Sequence, residues 1–372
     1  MIMFEKLHRC KITITSLREI GEFFGIFSIE GSKMRLWIEF DDCSTKTQKL
    51  CGFLESNVPL DLIVFDNEDC HYSCFQCFTR EVFDRKPLFD FSVVELICQS
   101  WIEYKDTENE SEQFCTKCSI EYPFSEPWFN TTTSTVFQIN TDVSLEFHSE
   151  IKESFELIPI KRVTYQKAWV TLSFRKEKSL KDILGYEERL WLFLRFAMDI
   201  PIPRGKIGIL AENDYERCYY HFDSPKAYSY IESYADTTVY LDMPLKLDSV
   251  VQKPQIISNW FSLCEKHYHA IKMLVRQMGK NVLLDERIAR NIQVFDSLTE
   301  NENGCLKKRL ADKLEKYCSN SYDAENLKKI RVAFSHLYDS KFLDESLSKT
   351  EYVRLEKVSI QLIRSIINDE LK

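Results

Sequence analysis

The sequence predicts an α+β protein, in which a β-rich N-terminal domain, interpreted as an antiparallel sheet or sandwich, precedes an all-α helical bundle. Up to about residue 178 the apolar residues recur with a period of two, and beyond Pro254 they recur with a helical period. A length of 372 residues also exceeds that of one typical core. We therefore expect two domains, 1–250 and 251–372.

Alternation marks the strands of the first domain. In "MRLWIEF", Met34, Leu36 and Ile38 alternate with polar or larger neighbours, and "AWVTLSFR" repeats the pattern from Ala168 to Phe174. Such alternation is typical of strands with one buried face. The polar break "DNED" between "LDLIVF" and "HYSCFQCF" predicts a hairpin connection.

One helix is predicted at the end of this β-rich region. "SLKD" resembles a capping box, with Asp182 at the third helical position after Ser179, and "IPIP" ends the apolar pattern that follows. A further β-like stretch, "KIGILAENDYERCYYHF", comes next. The domain boundary is expected after it, near "LKLDSVVQKPQ".

The last third is predicted to be helical throughout. One apolar stripe joins Ile257, Trp260, Phe261, Cys264, Tyr268, Ile271, Leu274 and Val275, and Gly279 is placed to end that helix. Further helices are predicted in "LLDERIARNIQVFDSL", "CLKKRLADKLEKYC", "NLKKIRVAFSHLYDSKF" and "TEYVRLEKVSIQLIRSIINDEL". Together they indicate a bundle.

Composition limits the class of protein. With 44% hydrophobic and 13% aromatic residues, both domains are expected to fold. No apolar run is long enough for a signal peptide or a membrane span, so we expect a cytoplasmic protein with no membrane partner. Thirteen cysteines, an odd number in a large chain, then favour reduced thiols over a disulfide framework. No HExxH, GxSxG or kinase-like motif occurs.

Charge is divided unevenly along the chain. Residues 255–372 carry 20 Lys and Arg against 17 Asp and Glu, a net +3, whereas the remainder carries 29 against 41, a net −12. A polyanion would therefore meet the last third of the chain more readily. A solvated helical surface is the alternative explanation.

The pair Arg331 and His336 lies off the apolar face of its predicted helix. With 100° per residue, Arg331 falls about 80° to one side of the stripe centre and His336 about 140° to the other. The stripe itself is formed by Leu327, Ile330, Phe334 and Leu337. Neither polar side chain is needed for the core of its own bundle.

With four residues between Arg331 and His336, "RVAFSH" resembles the motif of the HEPN superfamily of helical domains. Upstream, "LREIGEFFGIFS", "RVTYQKAWVTLSF" and "LGYEERLWLFLRF" are similar in pattern and order to the β-rich N-terminal domain of ApeA-like bacterial anti-phage proteins, which carry a C-terminal HEPN domain. Together the two resemblances cover most of the chain.

The resemblance implies a metal-independent endoribonuclease, without a cofactor, that cleaves RNA or tRNA and causes abortive infection. It also implies a homodimer or higher homo-oligomer formed through the HEPN domain, and a phage protein as a possible trigger. His336 would be the acid/base, because imidazole titrates near neutrality, and Arg331 would stabilise the phosphate charge. Lys328 and Lys329, one turn earlier, would bind flanking phosphates or would simply be solvated.

One residue departs from the family pattern. Active members commonly carry a polar residue after the motif Arg, whereas this chain has Val332. An apolar side chain cannot orient Arg or His by hydrogen bonding. The alternative function is therefore a non-catalytic HEPN module for dimerisation or partner binding.

Two CxxC pairs suggest a second candidate site. Cys74 and Cys77 precede Cys115 and Cys118 by a spacing that fits a four-thiolate structural zinc site, with Cys70 and His71 as substitutes. The first pair lacks glycine and lies in an aromatic strand pattern, which favours small buried cysteines in a sheet. Both interpretations remain open from sequence.

Overall fold

A computed structural model of the protein describes residues 7–15, 21–30, 33–40, 59–66, 71–84, 92–104, 114–122, 125–129, 135–157, 160–210, 216–221, 243–277, 283–335 and 347–372. Its contacts form two compact units. Unit 1 comprises Met1–Phe124, Glu146–Gly185 and Pro203–Pro225, and unit 2 comprises Ser125–Leu145, Tyr186–Ile202 and Lys226–Lys372. The chain passes between the units more than once, and the domain boundary near residue 250 stays a prediction.

Twelve strands lie in the described residues. They are β1 (His8–Ile14), β2 (Glu22–Glu30), β3 (Lys33–Phe40), β4 (Leu60–Asp66), β5 (His71–Asp84), β6 (Ser92–Tyr104), β7 (Phe114–Glu121), β8 (Thr135–Asn140), β9 (Val143–Leu157), β10 (Ile160–Ser179), β11 (Lys206–Leu210) and β12 (Glu216–His221). The predicted antiparallel sheet is confirmed, and β4 and β5 form the predicted hairpin pair.

Six of these strands close on themselves. Neighbouring strands pair in the order β3-β2-β1-β4-β5-β6, and β6 also pairs with β3, so the six strands form a closed ring. We call it the six-strand ring. Its interior is apolar and includes Ile12, Phe27, Leu36, Leu62 and Leu96. The closed ring was not predicted, because the pairing of β3 with β6 joins distant parts of the chain.

The long strand β6 makes this closure possible. On one edge it pairs with β5 along most of its length. On the other edge, Ser92–Cys98 pairs with β3, and Ser100–Glu103 pairs with β12. Beyond β12 the sheet of unit 1 continues in the order β11-β7-β10-β9, while β8 and the first residues of β9 belong to unit 2.

Seven α-helices are found in the described residues. They are α1 (Leu180–Met198), α2 (Leu247–Gln252), α3 (Gln255–Arg276), α4 (Leu284–Leu298), α5 (Leu306–Cys318), α6 (Ala324–Ser335) and α7 (Lys349–Glu370). The start of α1 is as predicted, since the Asp182 amide donates to Ser179 Oγ at 3.3 Å. Among the described residues, no helix has both the length and the apolar character that crossing a bilayer requires.

The last six helices confirm the predicted helical C-terminal region. In unit 2, α4 packs against α3, α6 and α7. The stripe predicted for α3 is buried except at Tyr268, which is half-buried and donates its hydroxyl to Glu188 at 2.6 Å. The backbone leaves helical geometry at His267, one residue earlier. Gly279 lies outside the described residues.

The C-terminal ends of α5 and α7 are joined by a polar cluster. Tyr317 donates to Asp369 at 2.6 Å, and Lys316 and Lys372 contact the same carboxylate at 3.1 and 2.9 Å. The hydrogen bond from Tyr317, followed by those from the two lysines, holds the pKa of Asp369 below its usual range.

Gly205 precedes β11 at a point where no side chain fits. A Cβ added there would lie 1.7 Å from the carbonyl oxygen of Glu121, whereas a Cβ at Gly185 in α1 would meet nothing within 4 Å. We expect Gly205→Ala to destabilise the protein by about 2 kcal/mol or more. Gly185→Ala, the matched control, is expected to be neutral or to stabilise by up to about 1 kcal/mol. Urea unfolding of both variants measures the difference; equal stabilities would contradict the close approach.

We expect the Asp369 cluster to give an acid-dependent contribution to stability. Because the folded-state pKa lies below the unfolded value, unfolding takes up a proton, so the contribution is complete above about pH 4 and is lost as the pH falls below it. In Asp369→Asn this part of the pH dependence should disappear. Urea unfolding of both proteins from pH 2 to pH 6 tests it; parallel curves would show that the carboxylate contributes nothing.

Candidate functional site

The helix α6 carries the described part of the Arg–His motif. Its buried positions are Ala324, Leu327, Ile330 and Ala333, and Phe334 is half-buried. The stripe predicted through Leu327 and Ile330 is therefore confirmed at its centre. Leu337 and His336 lie outside the described residues.

Arg331 lies to one side of this stripe and is half-buried. One guanidinium nitrogen donates to the Ser335 hydroxyl one turn later, and that hydroxyl donates to the Arg331 carbonyl oxygen at 3.0 Å. The buried Nε has no hydrogen-bond partner within the part of the chain that the structure describes. A permanent cation is thus held at the helix surface with donor capacity to spare.

The other predicted phosphate-binding residues lie one turn earlier on α6. Lys328 is half-buried and Lys329 is exposed. Glu325, in the first turn, pairs with Lys307 of α5 at 2.7 Å. The hydrogen bond from Lys307, with smaller contributions from Lys328 and Lys329, lowers the pKa of Glu325. Three cations therefore surround one carboxylate where α5 and α6 begin.

Cys305, which immediately precedes α5, lies near one of these cations. Its thiol is exposed, and hydrogen bonds from the Lys308 and Lys307 amides, together with the charge of Lys328, lower its pKa. The charge of Lys328 thus acts on both Glu325 and Cys305. Nothing in the sequence motif pointed to Cys305.

A buried carboxylate fixes the start of α6. Asp323 lies immediately before the helix, and its side chain is 0% exposed. Its two carboxylate oxygens accept hydrogen bonds from the guanidinium of Arg354 on α7, at 2.5 and 2.7 Å. Asn320 also donates to Asp323, at 2.5 Å. This two-pronged contact ties α6 to α7 and so sets where Arg331 lies in the bundle.

The neighbouring helices α4 and α7 are joined by polar contacts of their own. Arg287 pairs with Glu356 at 3.2 Å, and the buried Asn291 donates to Ser359 at 2.9 Å. Because α6 packs on α4, these contacts hold the helix against which α6 lies. Sequence periodicity identified the helices but none of these pairings.

The two CxxC pairs lie on strands that are not neighbours. Cys74 and Cys77 are on β5, Cys115 and Cys118 are on β7, and β6, β12 and β11 lie between them. The four thiols therefore do not meet at one tetrahedral centre, for which each Zn–S distance would be about 2.3 Å. Within the described ranges, no group of three or more side chains could hold a metal ion. Cys70 and the side chain of His71 lie outside this description.

Both thiols of the first pair instead point into the six-strand ring. Residues three apart in a regular strand face opposite sides, but Gln76 adopts a positive φ of 52° between Cys74 and Cys77. The Gln76 amide donates to Asp61 on β4 at 3.0 Å, which stabilises this conformation. A third thiol, Cys98 of β6, lies 3.0 Å from Cys77, sulfur to sulfur. No sequence motif had singled out Cys98.

Unit 1 also contains a cleft of about 390 Å³. It lies between the first turn of α1 and the outer side of β5 and β6, and its lining includes Phe75, Tyr219, Lys181 and Arg204. Two cations and two aromatic residues thus line a concave surface in the β-rich unit.

Comparisons of the chain with protein-family models, with curated proteins and with solved structures gave no match.

We expect Asp323→Ala to loosen α6. The substitution leaves Arg354, which is 40% exposed, without its buried partner, so the loss of unfolding free energy should be about 2–3 kcal/mol. The matched control is Glu325→Ala, whose pair with Lys307 is exposed and should contribute less than about 1 kcal/mol. Urea unfolding compares the two; equal losses would show that the Asp323 contact does not anchor the helix.

Proposed function

We propose that this protein is a metal-independent endoribonuclease of the HEPN type that acts in anti-phage defence by cleaving RNA or tRNA. The single observation that carries the proposal is the half-buried Arg331, which lies off the core stripe of a late helix in a helical bundle and keeps a buried Nε without a described acceptor. His336 follows it in the sequence with four residues between them.

The two residues would divide the chemistry between them. The 2′-oxygen of the ribose attacks the adjacent phosphorus while His336 removes its proton, and the 5′-oxygen leaves with a proton returned to it. Arg331 stabilises the negative charge that develops on the phosphorus oxygens, for which its planar fork is suited. The products are a 2′,3′-cyclic phosphate and a free 5′-hydroxyl, so no metal ion is required.

The charge around α6 favours a nucleic acid substrate. Lys328 and Lys329 lie one turn before Arg331, and Lys307 lies at the start of α5. In the proposal these cations bind phosphates that flank the cleaved bond. A homodimer formed through the helical region would place two Arg331–His336 sets at one shared cleft.

The alternative is a non-catalytic HEPN module for dimerisation or partner binding, and Val332 favours it. This side chain is half-buried next to Arg331 and has no group that could orient either Arg331 or His336. In that case the bundle would assemble as a dimer with no cleavage of RNA.

We expect the purified protein to cleave RNA in EDTA and to leave 2′,3′-cyclic phosphate ends. His336→Ala and Arg331→Ala should each lower the cleavage rate at least about 100-fold, because one removes the proton carrier and the other the charge stabiliser. Arg276→Ala changes an exposed arginine at the end of α3 and serves as the matched control, with an unchanged rate. Denaturing gels of end-labelled tRNA and total RNA give the rates.

Two outcomes separate the alternatives. A dimer by light scattering that leaves RNA intact, with and without extract from phage-infected cells, would support the non-catalytic module. Cleavage that persists at the wild-type rate in both variants would exclude Arg331 and His336 as the site.

A further inference from the structure

The interior of the six-strand ring contains a cluster of three thiols that the proposed ribonuclease chemistry does not use. Cys74, Cys77 and Cys98 are 0%, 1% and 0% exposed, and all belong to the apolar core of the ring. Desolvation by burial is the largest cause that raises the pKa of the Cys77 and Cys98 thiols. At neutral pH both therefore remain protonated in the closed ring.

Cys77 and Cys98 are opposed across two antiparallel strands. They are direct partners in the register of β5 and β6. Opposed residues in an antiparallel pair have Cα atoms about 4.5–5.5 Å apart, which lies within the span of a disulfide. The two sulfur atoms are 3.0 Å apart, roughly 1 Å more than a disulfide bond. Bond formation thus requires only a small side-chain movement and no change of register.

Cys74 lies close to both members of this pair. Burial raises the pKa of the Cys74 thiol, but hydrogen bonds with Cys77 and Cys98 lower it below its usual value. Its thiol donates to the Met34 sulfur on β3 at 3.4 Å, and its partner on β6 is Trp101 rather than a cysteine. The left-handed turn at Gln76 places Cys74 on the same face as Cys77 without placing it opposite Cys98. The strand register, rather than proximity alone, therefore distinguishes Cys77 and Cys98 among the three thiols.

Cys115 and Cys118 on β7 provide a comparison within the same unit. They are also buried, but in the register of the sheet Cys115 is opposite Lys178, and Cys118 is opposite Leu172 and Ile209. Neither has a cysteine as a cross-strand partner. Burial alone thus does not distinguish Cys77 and Cys98; their opposition does.

We propose that Cys77 and Cys98 are an oxidative modification site, at which a hydroperoxide converts the two thiols into a cross-strand disulfide. Hydrogen peroxide oxidises one thiol to a sulfenic acid and releases one water; the second thiol then attacks that sulfur and releases another. Two thiols and one peroxide thus give one disulfide and two waters, and a dithiol reductant reverses the bond. The proposal does not depend on the ribonuclease function.

The disulfide would tighten the ring where β6 leaves β3 for β12. It closes a loop of about twenty residues and so restricts the unfolded chain. We expect the midpoint of thermal unfolding to rise by roughly 5–10 °C on oxidation and to return after dithiothreitol. Because both thiols are buried, the small peroxide should react during brief openings of the ring, while bulky maleimides label slowly.

The experiment treats the full chain with hydrogen peroxide, blocks the remaining thiols, and maps a chymotryptic digest by mass spectrometry without reduction. Cleavage after Phe75 separates Cys74 from Cys77, so the linked cysteines can be assigned. We expect a Cys77–Cys98 link, with Cys115 and Cys118 recovered as thiols. This mapping uses the wild-type protein and does not require any variant to fold.

Two variants sharpen the result. Cys74→Ser should keep both the link and the rise in thermal midpoint, whereas Cys98→Ser should lose both. A link from Cys74 to Cys77 or to Cys98, or recovery of Cys77 and Cys98 as thiols after peroxide treatment, would overturn the proposal. A mapped Cys77–Cys98 link without any change in thermal midpoint would overturn the claim that it tightens the ring.

Discussion

The architecture of unit 1 depends on how strand β6 uses its two edges. One edge pairs with β5, while the other is divided between β3, which closes the six-strand ring, and β12, which starts the rest of the sheet. A strand has only one set of backbone groups on each edge, so the residues near Cys98 and Ser100 determine where the ring ends and the open sheet begins.

In unit 2 a different kind of contact fixes the geometry. The helices pack through apolar stripes, but stripes alone allow sliding and rotation. The buried carboxylate of Asp323 and the paired Asn291 and Ser359 remove that freedom, because each needs its partner at hydrogen-bond distance. Arg331 therefore occupies a defined position on the bundle, even though its contacts within the described residues are few.

Much of the fold could be predicted from local patterns, and the unpredicted features depend on long-range pairings. Alternation identified the strands around Met34 and Ala168, and Ser179 with Asp182 marked the start of α1. The closing of the ring had no local signal. The left-handed backbone at Gln76 also had no local signal, because glutamine does not favour a positive φ. Without knowledge of that conformation, Cys74 and Cys77 could not be assigned to the same face of the strand. For the candidate site, periodicity placed Arg331 beside the stripe, but the Asp323–Arg354 anchor joins residues 31 apart and left no trace in the pattern.

Gly25 and Gly205 limit how the sequence can diverge among homologues. A Cβ at Gly25 would lie 2.3 Å from the Trp37 carbonyl oxygen, and one at Gly205 would lie closer still to that of Glu121. In both cases the added atom would clash with backbone of a neighbouring strand, which cannot move away as a side chain can by changing its rotamer. Any homologue that retains these strand contacts must keep glycine at both positions, however far the rest of its sequence has drifted.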